Sequence, residues 1–160
     1  MPHPTVNPFL WFEPGQAELA AGFYVALFED AEILTIRHLP AGDFECLLIE
    51  IRLGAITYTL MGAPGAPAPS SAFSFSVICQ TQAEIDHLWD YLSVGGEPMA
   101  CGWIKDRFGV SWQITPARMQ ELTDQGTRAQ RVAVMEAMMG MVKFDIAGLE
   151  AAFAAAATPG

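Results

Sequence analysis

Apolar and polar residues alternate over several short stretches of the chain. The clearest lies at residues 43–53, where aliphatic residues at the odd positions Leu47–Leu53 alternate with a set that includes Glu50 and Arg52. Such alternation is typical of a strand with one face towards water. Short apolar or alternating stretches predict further strands at residues 5–12, 31–39, 56–61, 72–79, about 99–105 and 110–115.

Helical periodicity separates these strands. Leu19, Phe23 and Leu27 recur at i, i+4 and i+8, which predicts one apolar helix face after the Pro14-Gly15 break. The same face includes the residues beside them: Ala20, Tyr24 and Phe28. Residues 81–84 (TQAE) form a capping box, which satisfies the first free N–H groups of a helix. That second helix has a predicted buried stripe of Ile85, Leu88, Trp89 and Leu92.

The two halves of the chain repeat the order strand, helix and three strands. Residues 16–19 (QAEL) match residues 82–85 (QAEI) at a shift of 66 positions, and each match opens an amphipathic helix after an apolar strand. We interpret this as an internal duplication. The first module spans about residues 1–61 and the second about 72–115, joined by a linker rich in Gly, Pro and Ser at 62–71.

A helical tail is predicted over residues 116–160. A second capping box at residues 127–130 (TRAQ) heads a helix to about Met141, and Asp145 can cap a last helix. An apolar stripe in this tail is predicted to pack on the sheet or on a second subunit: Val132, Met135, Met138, Met139 and Val142. The predicted fold is thus one α+β domain with two tandem βαβββ modules and C-terminal helices. A βαββαβ ferredoxin-like dimer explains the pattern less well, because three predicted strands follow the first helix.

The charge of the chain excludes some partners. The formal net charge is −10, and residues 1–100 hold twelve acids but only two bases, Arg37 and Arg52. Phosphate backbones and anionic membranes attract Lys and Arg, so neither nucleic acid nor a membrane is an expected partner. The first residues lack a signal peptide and no run of about 18 apolar residues occurs, so a cytoplasmic location is expected.

Cysteine and histidine give no metal-binding pattern. The cysteines are odd in number, widely spaced and without a C-x-x-C motif, so we expect small core residues rather than disulfides or a zinc site: Cys46, Cys79 and Cys101. The histidines are expected at the surface or on a helix flank: His3, His38 and His87. Residues 105–107 (KDR) precede Phe108-Gly109 between two strands, which favours a hairpin turn with solvated charges.

Three segments carry a resemblance to a known family: FLWFEPGQAELAAGFYVALF, CGWIKDRFGVSWQITP and MVKFDIAGLEAAF. Together with the tandem βαβββ order, they resemble the PhnB-like branch of the vicinal oxygen chelate superfamily. That superfamily includes glyoxalase I, extradiol dioxygenases and bleomycin-resistance proteins, and the branch is often labelled 3-demethylubiquinone-9 3-methyltransferase-like. The resemblance implies a curved mixed sheet around a cleft, and a homodimer.

The superfamily's metal chemistry can be tested against the sequence. Its enzymes hold a divalent metal with His, Glu or Gln from the first and last strand of each module. The corresponding predicted strands contain no His, Asp or Glu. Gln113 falls where the last ligand would lie, but one neutral amide does not make a metal site. We therefore expect neither a metal nor another cofactor.

The function expected from these observations is metal-free binding of a small molecule in the cleft. Aromatic side chains could stack on a flat ligand and amides could orient it, so the candidate ligand-binding residues are Asn7, Trp11, Phe75, Trp103 and Gln113. The alternative is a metal-dependent lyase, isomerase or dioxygenase with an unusual ligand set. An interaction module that uses the Met-rich tail is a third hypothesis. A methyltransferase is disfavoured, because no Gly-rich nucleotide-binding turn occurs, and no catalytic residue can be assigned.

Overall fold

The structure, a computed structural model, describes residues 4–157, so His3 lies outside the described residues. The chain forms two compact units that divide between Ala68 and Pro69. The division falls inside the segment rich in Gly, Pro and Ser at residues 62–71. The first residue of that segment, Gly62, still belongs to a strand.

The first unit is a four-stranded sheet with one helix. Its strands are β1 (Phe9–Phe12), β2 (Glu32–Ala41), β3 (Phe44–Leu53) and β4 (Ile56–Gly62), and helix α1 (Gln16–Val25) follows β1. The strand order is β1-β4-β3-β2. β1 pairs with β4 in parallel, and the other neighbours are antiparallel.

The second unit repeats this topology. Its strands are β5 (Ser74–Cys79), β6 (Glu97–Pro98), β7 (Trp103–Lys105) and β8 (Ser111–Pro116), and helix α2 (Gln82–Ser93) follows β5. The order is β5-β8-β7-β6, again with the first and last strands of the module parallel. The predicted α+β class with tandem βαβββ modules is therefore confirmed.

Three helices complete the second unit: α3 (Ala117–Gln125), α4 (Arg128–Met139) and α5 (Ile146–Ala155). They meet at a small core of Leu122, Val134 and Leu149. Both predicted capping boxes are present, at Thr81 before α2 and at Thr127 before α4. The Asp145 side chain accepts from Ala147 N at the start of α5, also as predicted.

The face that α1 buries was predicted in part, since Ala20 and Tyr24 of the predicted face are buried but Leu19 is not. Leu19 is 61% exposed, and the buried residues of the helix are Ala17, Ala20, Ala21 and Tyr24. The helix lies close to β4: a Cβ added at Gly62 would be only 3.2 Å from the Cβ of Ala17. Small residues on both sides allow this approach, whereas a leucine at the contact would hold the helix away from the sheet.

Two other predictions need correction. The tail stripe does not pack on the sheet as a whole: Met138 lies against the tail core, but Val132, Met135, Met139 and Val142 are exposed in the chain. Packing of this stripe on a second subunit, the other expectation, stays a prediction. Of the three cysteines, Cys79 is buried, whereas Cys46 and Cys101 are only half-buried. In the described part of the chain, no helix has the length and apolar character to span a membrane.

Candidate functional site

Side chains alternate along a strand, so each sheet has two faces. One face is buried under the helix of its module, and we call the opposite side the far face. In the second sheet, the helix-side residues are buried: Phe75, Ile104, Trp112 and Ile114. The far face of that sheet carries the intervening positions, which are more polar.

Trp103 and Gln113 lie side by side on the far face of the second sheet. They are direct partners in the antiparallel pairing of β7 with β8, and both are half-buried. Gln113 Nε2 donates to Ser74 Oγ at 2.8 Å, and Ser76 is the partner of Gln113 on β5. The arrangement offers an indole, an amide carbonyl and hydroxyl groups on one surface, so it can stack on a flat group and hydrogen-bond its polar edge.

Phe75 lies on the other face of the same sheet. It is 5% exposed, and its ring stacks on Trp112 with 4.2 Å between centroids and 23° between planes. The structure therefore does not bring Phe75 together with Trp103 and Gln113. A shift of one residue in strand register exchanges the two faces, and the sequence left that register open.

The remaining two candidates belong to the first unit. Trp11 lies on the far face of the first sheet and is 38% exposed. Its Nε1 donates to Ala63 O at 3.0 Å, which fixes the orientation of the ring. Asn7 is exposed in the segment that precedes β1.

The turn between β7 and β8 is built differently from the predicted solvated turn. Asp106 is 4% exposed, and its carboxylate accepts from Phe108 N at 2.8 Å, Val110 N at 3.0 Å and Trp112 Nε1 at 2.9 Å. Arg107 donates to Val94 O at the end of α2, at 3.2 and 2.9 Å. Asp106 is thus a buried anchor that aligns β7, with Trp103, against β8, with Gln113. An aspartate whose side chain accepts from backbone N–H groups just after it is a known turn signal, and Asp106 could have been identified from the sequence by it.

The loop before Trp103 is held by the helical tail. Cys101 N donates to Met141 O at 2.8 Å and Gly102 N donates to Val142 O at 2.9 Å. Gly102 has a φ of +74°, and an added Cβ there would lie 2.3 Å from the ring of Phe144. The start of β7 is therefore fixed by close contact with the tail.

A glutamine on α2 secures the same tail segment. Gln82 Nε2 donates to Phe144 O at 3.0 Å, and Gln82 Oε1 accepts from Ile146 N at 2.9 Å. Beside it, Lys143 Nζ lies 2.7 Å from Asp86. The Lys143 ammonium, helped by Gln82, lowers the pKa of the Asp86 carboxyl below its ordinary value. The tail is thus an integral part of the second unit.

The strands that would hold a metal in this fold do not carry suitable donors. β1, β4, β5 and β8 contain no His, Asp or Glu, and their amide donor is Gln113, already bonded to Ser74. Within residues 4–157, no group of three or more His, Cys, Asp or Glu side chains could hold a metal ion. The donor set does not fit a divalent cation, which needs several oxygen or nitrogen ligands.

Cys79, at the end of β5, is also a poor donor. Burial, with a smaller contribution from the nearby Glu84 carboxylate, raises the pKa of its thiol to about 11. With this pKa, Cys79 is a protonated core residue at neutral pH. A thiol binds metals as the thiolate, so Cys79 does not offer a suitable ligand.

Comparison with protein families gives one match. Residues 4–115 match the model of the 3-demethylubiquinone-9 3-methyltransferase family. The match covers both modules and stops before α3. No curated protein sequence matches the chain.

Solved structures share the fold. A PhnB protein from Bacillus cereus that carries the same family name is 27% identical, with a TM-score of 0.60; the match covers 71% of this chain and all 100% of that one. A Pseudomonas aeruginosa protein is 20% identical, with a TM-score of 0.56, 71% of this chain covered and 98% of that one. FosX from Listeria monocytogenes, a fosfomycin resistance protein complexed with Mn(II) and sulfate, is 11% identical, with a TM-score of 0.52, 71% of this chain covered and 92% of that one. The last two show a likeness of fold alone.

Proposed function

The chain belongs to the 3-demethylubiquinone-9 3-methyltransferase family, and we propose that it binds a small organic molecule without a metal, on the far face of its second sheet. Trp103 supplies a ring on which a flat ligand stacks. Gln113, oriented by its bond to Ser74, offers its amide carbonyl to a ligand donor. The observation that carries the proposal is the direct register of Trp103 with Gln113 on one surface.

The family name does not by itself support methyl transfer here. A methyltransferase that uses a nucleotide-like methyl donor usually has a parallel α/β sheet with a Gly-rich first turn. The described part of this chain has two mixed sheets of four strands instead. Its strand donors also do not fit the metal-dependent lyase, isomerase or dioxygenase that is the alternative for this fold. The observation that favours this alternative is a likeness of fold to FosX, which was solved with Mn(II). At 11% identity this likeness concerns the fold alone.

The proposal is tested by comparing Trp103→Ala and Gln113→Ala with the unmodified protein. Each protein is purified gently, and any retained small molecule is measured by native mass spectrometry and by extraction. We expect both variants to keep the fold and retain less ligand. Val132→Ala, which shortens an exposed apolar side chain on α4, is the control and should retain as much ligand as the unmodified protein. Unchanged retention in both site variants would remove the site assignment. The homodimer and the cytoplasmic location remain predictions, and the same spectra give the subunit count.

A further inference from the structure

A row of four side chains crosses the far face of the first sheet. Strand register pairs Trp11 on β1 with Met61 on β4. Leu48 on β3 is the partner of Met61 on one side and of Arg37 on the other. Neighbouring strands lie about 4.8 Å apart, so the row extends roughly 14 Å from Trp11 to Arg37.

The row is apolar for three positions and cationic at the fourth. Met61 and Leu48 are half-buried, and the Trp11 ring is held in place by its bond to Ala63 O. Leu39 and Cys46, which pair two residues further along β2 and β3 and so lie on the same face, widen the apolar surface near Arg37. A molecule lying along the row would therefore contact apolar groups first and a guanidinium at its end.

Arg37 and Arg52, the two arginines of this face, differ in how many of their guanidinium donors are engaged in hydrogen bonds. Arg52 donates through Nε and Nη2 to Glu32 Oε1, at 3.1 and 2.7 Å, and through Nη1 to Gly54 O at 3.2 Å. Among the described residues, Arg37 has one ion-pair partner, Glu50, reached by Nη2 at 3.4 Å. The side chain of Arg37 is also 55% exposed. Its planar fork of donors is therefore available to an oxyanion, whereas that of Arg52 is engaged.

The charge of the first hundred residues makes this position distinctive. Arg37 and Arg52 are the only bases there, against twelve acids, and both lie on the far face of the first sheet. An anion that approaches this part of the chain needs a local cation. Arginine binds planar carboxylates with two parallel N–H···O bonds, which a lysine cannot do.

We infer that the far face of the first sheet binds an apolar molecule that ends in a carboxylate. The apolar body lies along Trp11, Met61 and Leu48, and the carboxylate pairs with Arg37. This site uses residues of the first unit, whereas the second-sheet site proposed above uses Trp103 and Gln113.

Two probes of equal chain length separate the apolar and the ionic contributions. Decanoate and decanol are titrated into the full chain by isothermal calorimetry, at physiological ionic strength to screen the overall negative charge. We expect decanoate to bind more tightly than decanol. Arg37→Gln should weaken decanoate binding about tenfold, the loss of one charge-assisted pair at a partly exposed site, and leave decanol binding unchanged. Trp11→Ala should weaken both probes.

Arg52→Gln is the matched control, since it removes the same charge from the same face. It should change decanoate affinity by less than about twofold, because Arg52 is engaged by Glu32. Denaturation curves confirm that each variant is folded. Equal losses in the two arginine variants, equal affinity for decanoate and decanol, or absence of decanoate binding would each overturn the inference. None of these results bears on Trp103 or Gln113, which are tested separately.

Discussion

Trp112 Nε1 donates a hydrogen bond to Asp106 Oδ2 at 2.9 Å, inside the second unit. The bond joins the β7–β8 turn to a fully buried indole on β8. The same carboxylate holds two backbone N–H groups of the turn through its other oxygen. This pair of residues therefore sets how the strand of Trp103 lies against the strand of Gln113.

Asp106→Asn should destabilise the protein by about 1–3 kcal/mol. The amide has one acceptor oxygen for three donors, so at least one buried N–H loses its partner. Urea unfolding followed by tryptophan fluorescence measures the change. Lys105→Gln, one residue earlier, is the control. Among residues 4–157 the ion-pair partner of Lys105 is Glu97, 3.8 Å away at the surface, so the change should lie within about 0.5 kcal/mol. An unfolding midpoint for Asp106→Asn equal to that of the control would contradict the anchoring role.

Alanine substitutions at two glycines distinguish the cost of backbone strain from the cost of steric contact. Gly102 and Gly109 both have positive φ, of +74° and +83°. An alanine Cβ at Gly102 would lie 2.3 Å from Phe144 and 2.8 Å from Ile114 O, but at Gly109 the nearest atom would be Pro69 Cγ at 3.6 Å. Gly109→Ala should cost about 1–2 kcal/mol from the left-handed backbone alone. Gly102→Ala should cost about 1–3 kcal/mol more, from overpacking against the tail. Equal unfolding free energies for the two variants would show that the tail does not press on this loop.

The hydrogen bonds from Gln82 to the tail can be tested by comparison with Gln16, the equivalent residue of the first module. Gln82→Ala should raise the hydrogen-exchange rate of the Ile146 amide and of the residues around Phe144, because both bonds to this segment are lost. Gln16→Ala changes the equivalent residue of the duplication, which is exposed, and should leave exchange in the tail unaltered. If exchange at Ile146 is the same in both variants, the Gln82 bonds do not hold the tail.

The Cys79 thiol should make stability depend on alkaline pH. Burial raises the pKa of this thiol from an ordinary 9.0 to about 11 in the folded protein. Between these values the unfolded chain has released the proton and the folded chain has kept it, so stability falls as pH rises from 9 to 11. Cys79→Ala removes this contribution, and its unfolding free energy should fall less steeply over the same window. Parallel curves for the two proteins would contradict the raised pKa.

The order of elements could be predicted from the sequence because it rests on local signals. The capping boxes at Thr81 and Thr127 and the alternation around Ile49 and Ile51 are set by neighbouring residues. The buried face of α1 could be predicted only in part in this way. Large apolar side chains at helical spacing indicated Leu19, but close packing against Gly62 favours Ala17 and its neighbours.

Only some of the candidate ligand-binding residues lie together, because the sequence does not reveal which face of a strand each side chain occupies. Trp103 and Gln113 are brought together, but Phe75 lies on the helix side, since a strand pattern of mixed aromatic and small residues does not reveal its register. The sequence pattern did not indicate Asp106 or Arg37 as site residues, because both depend on contacts between residues on different strands. Asp106 bonds the buried indole of Trp112, and Arg37 ends a row of side chains across four strands.

A native mass spectrum of protein purified gently and without chelators distinguishes metal-free binding from metal-dependent chemistry. Metal-free binding of a small molecule predicts a subunit mass with an organic adduct and without stoichiometric metal. Denaturation should then release the adduct, and its mass would begin to identify the ligand. One divalent metal per subunit would contradict the account, and it would favour a metal-dependent enzyme of the same fold instead.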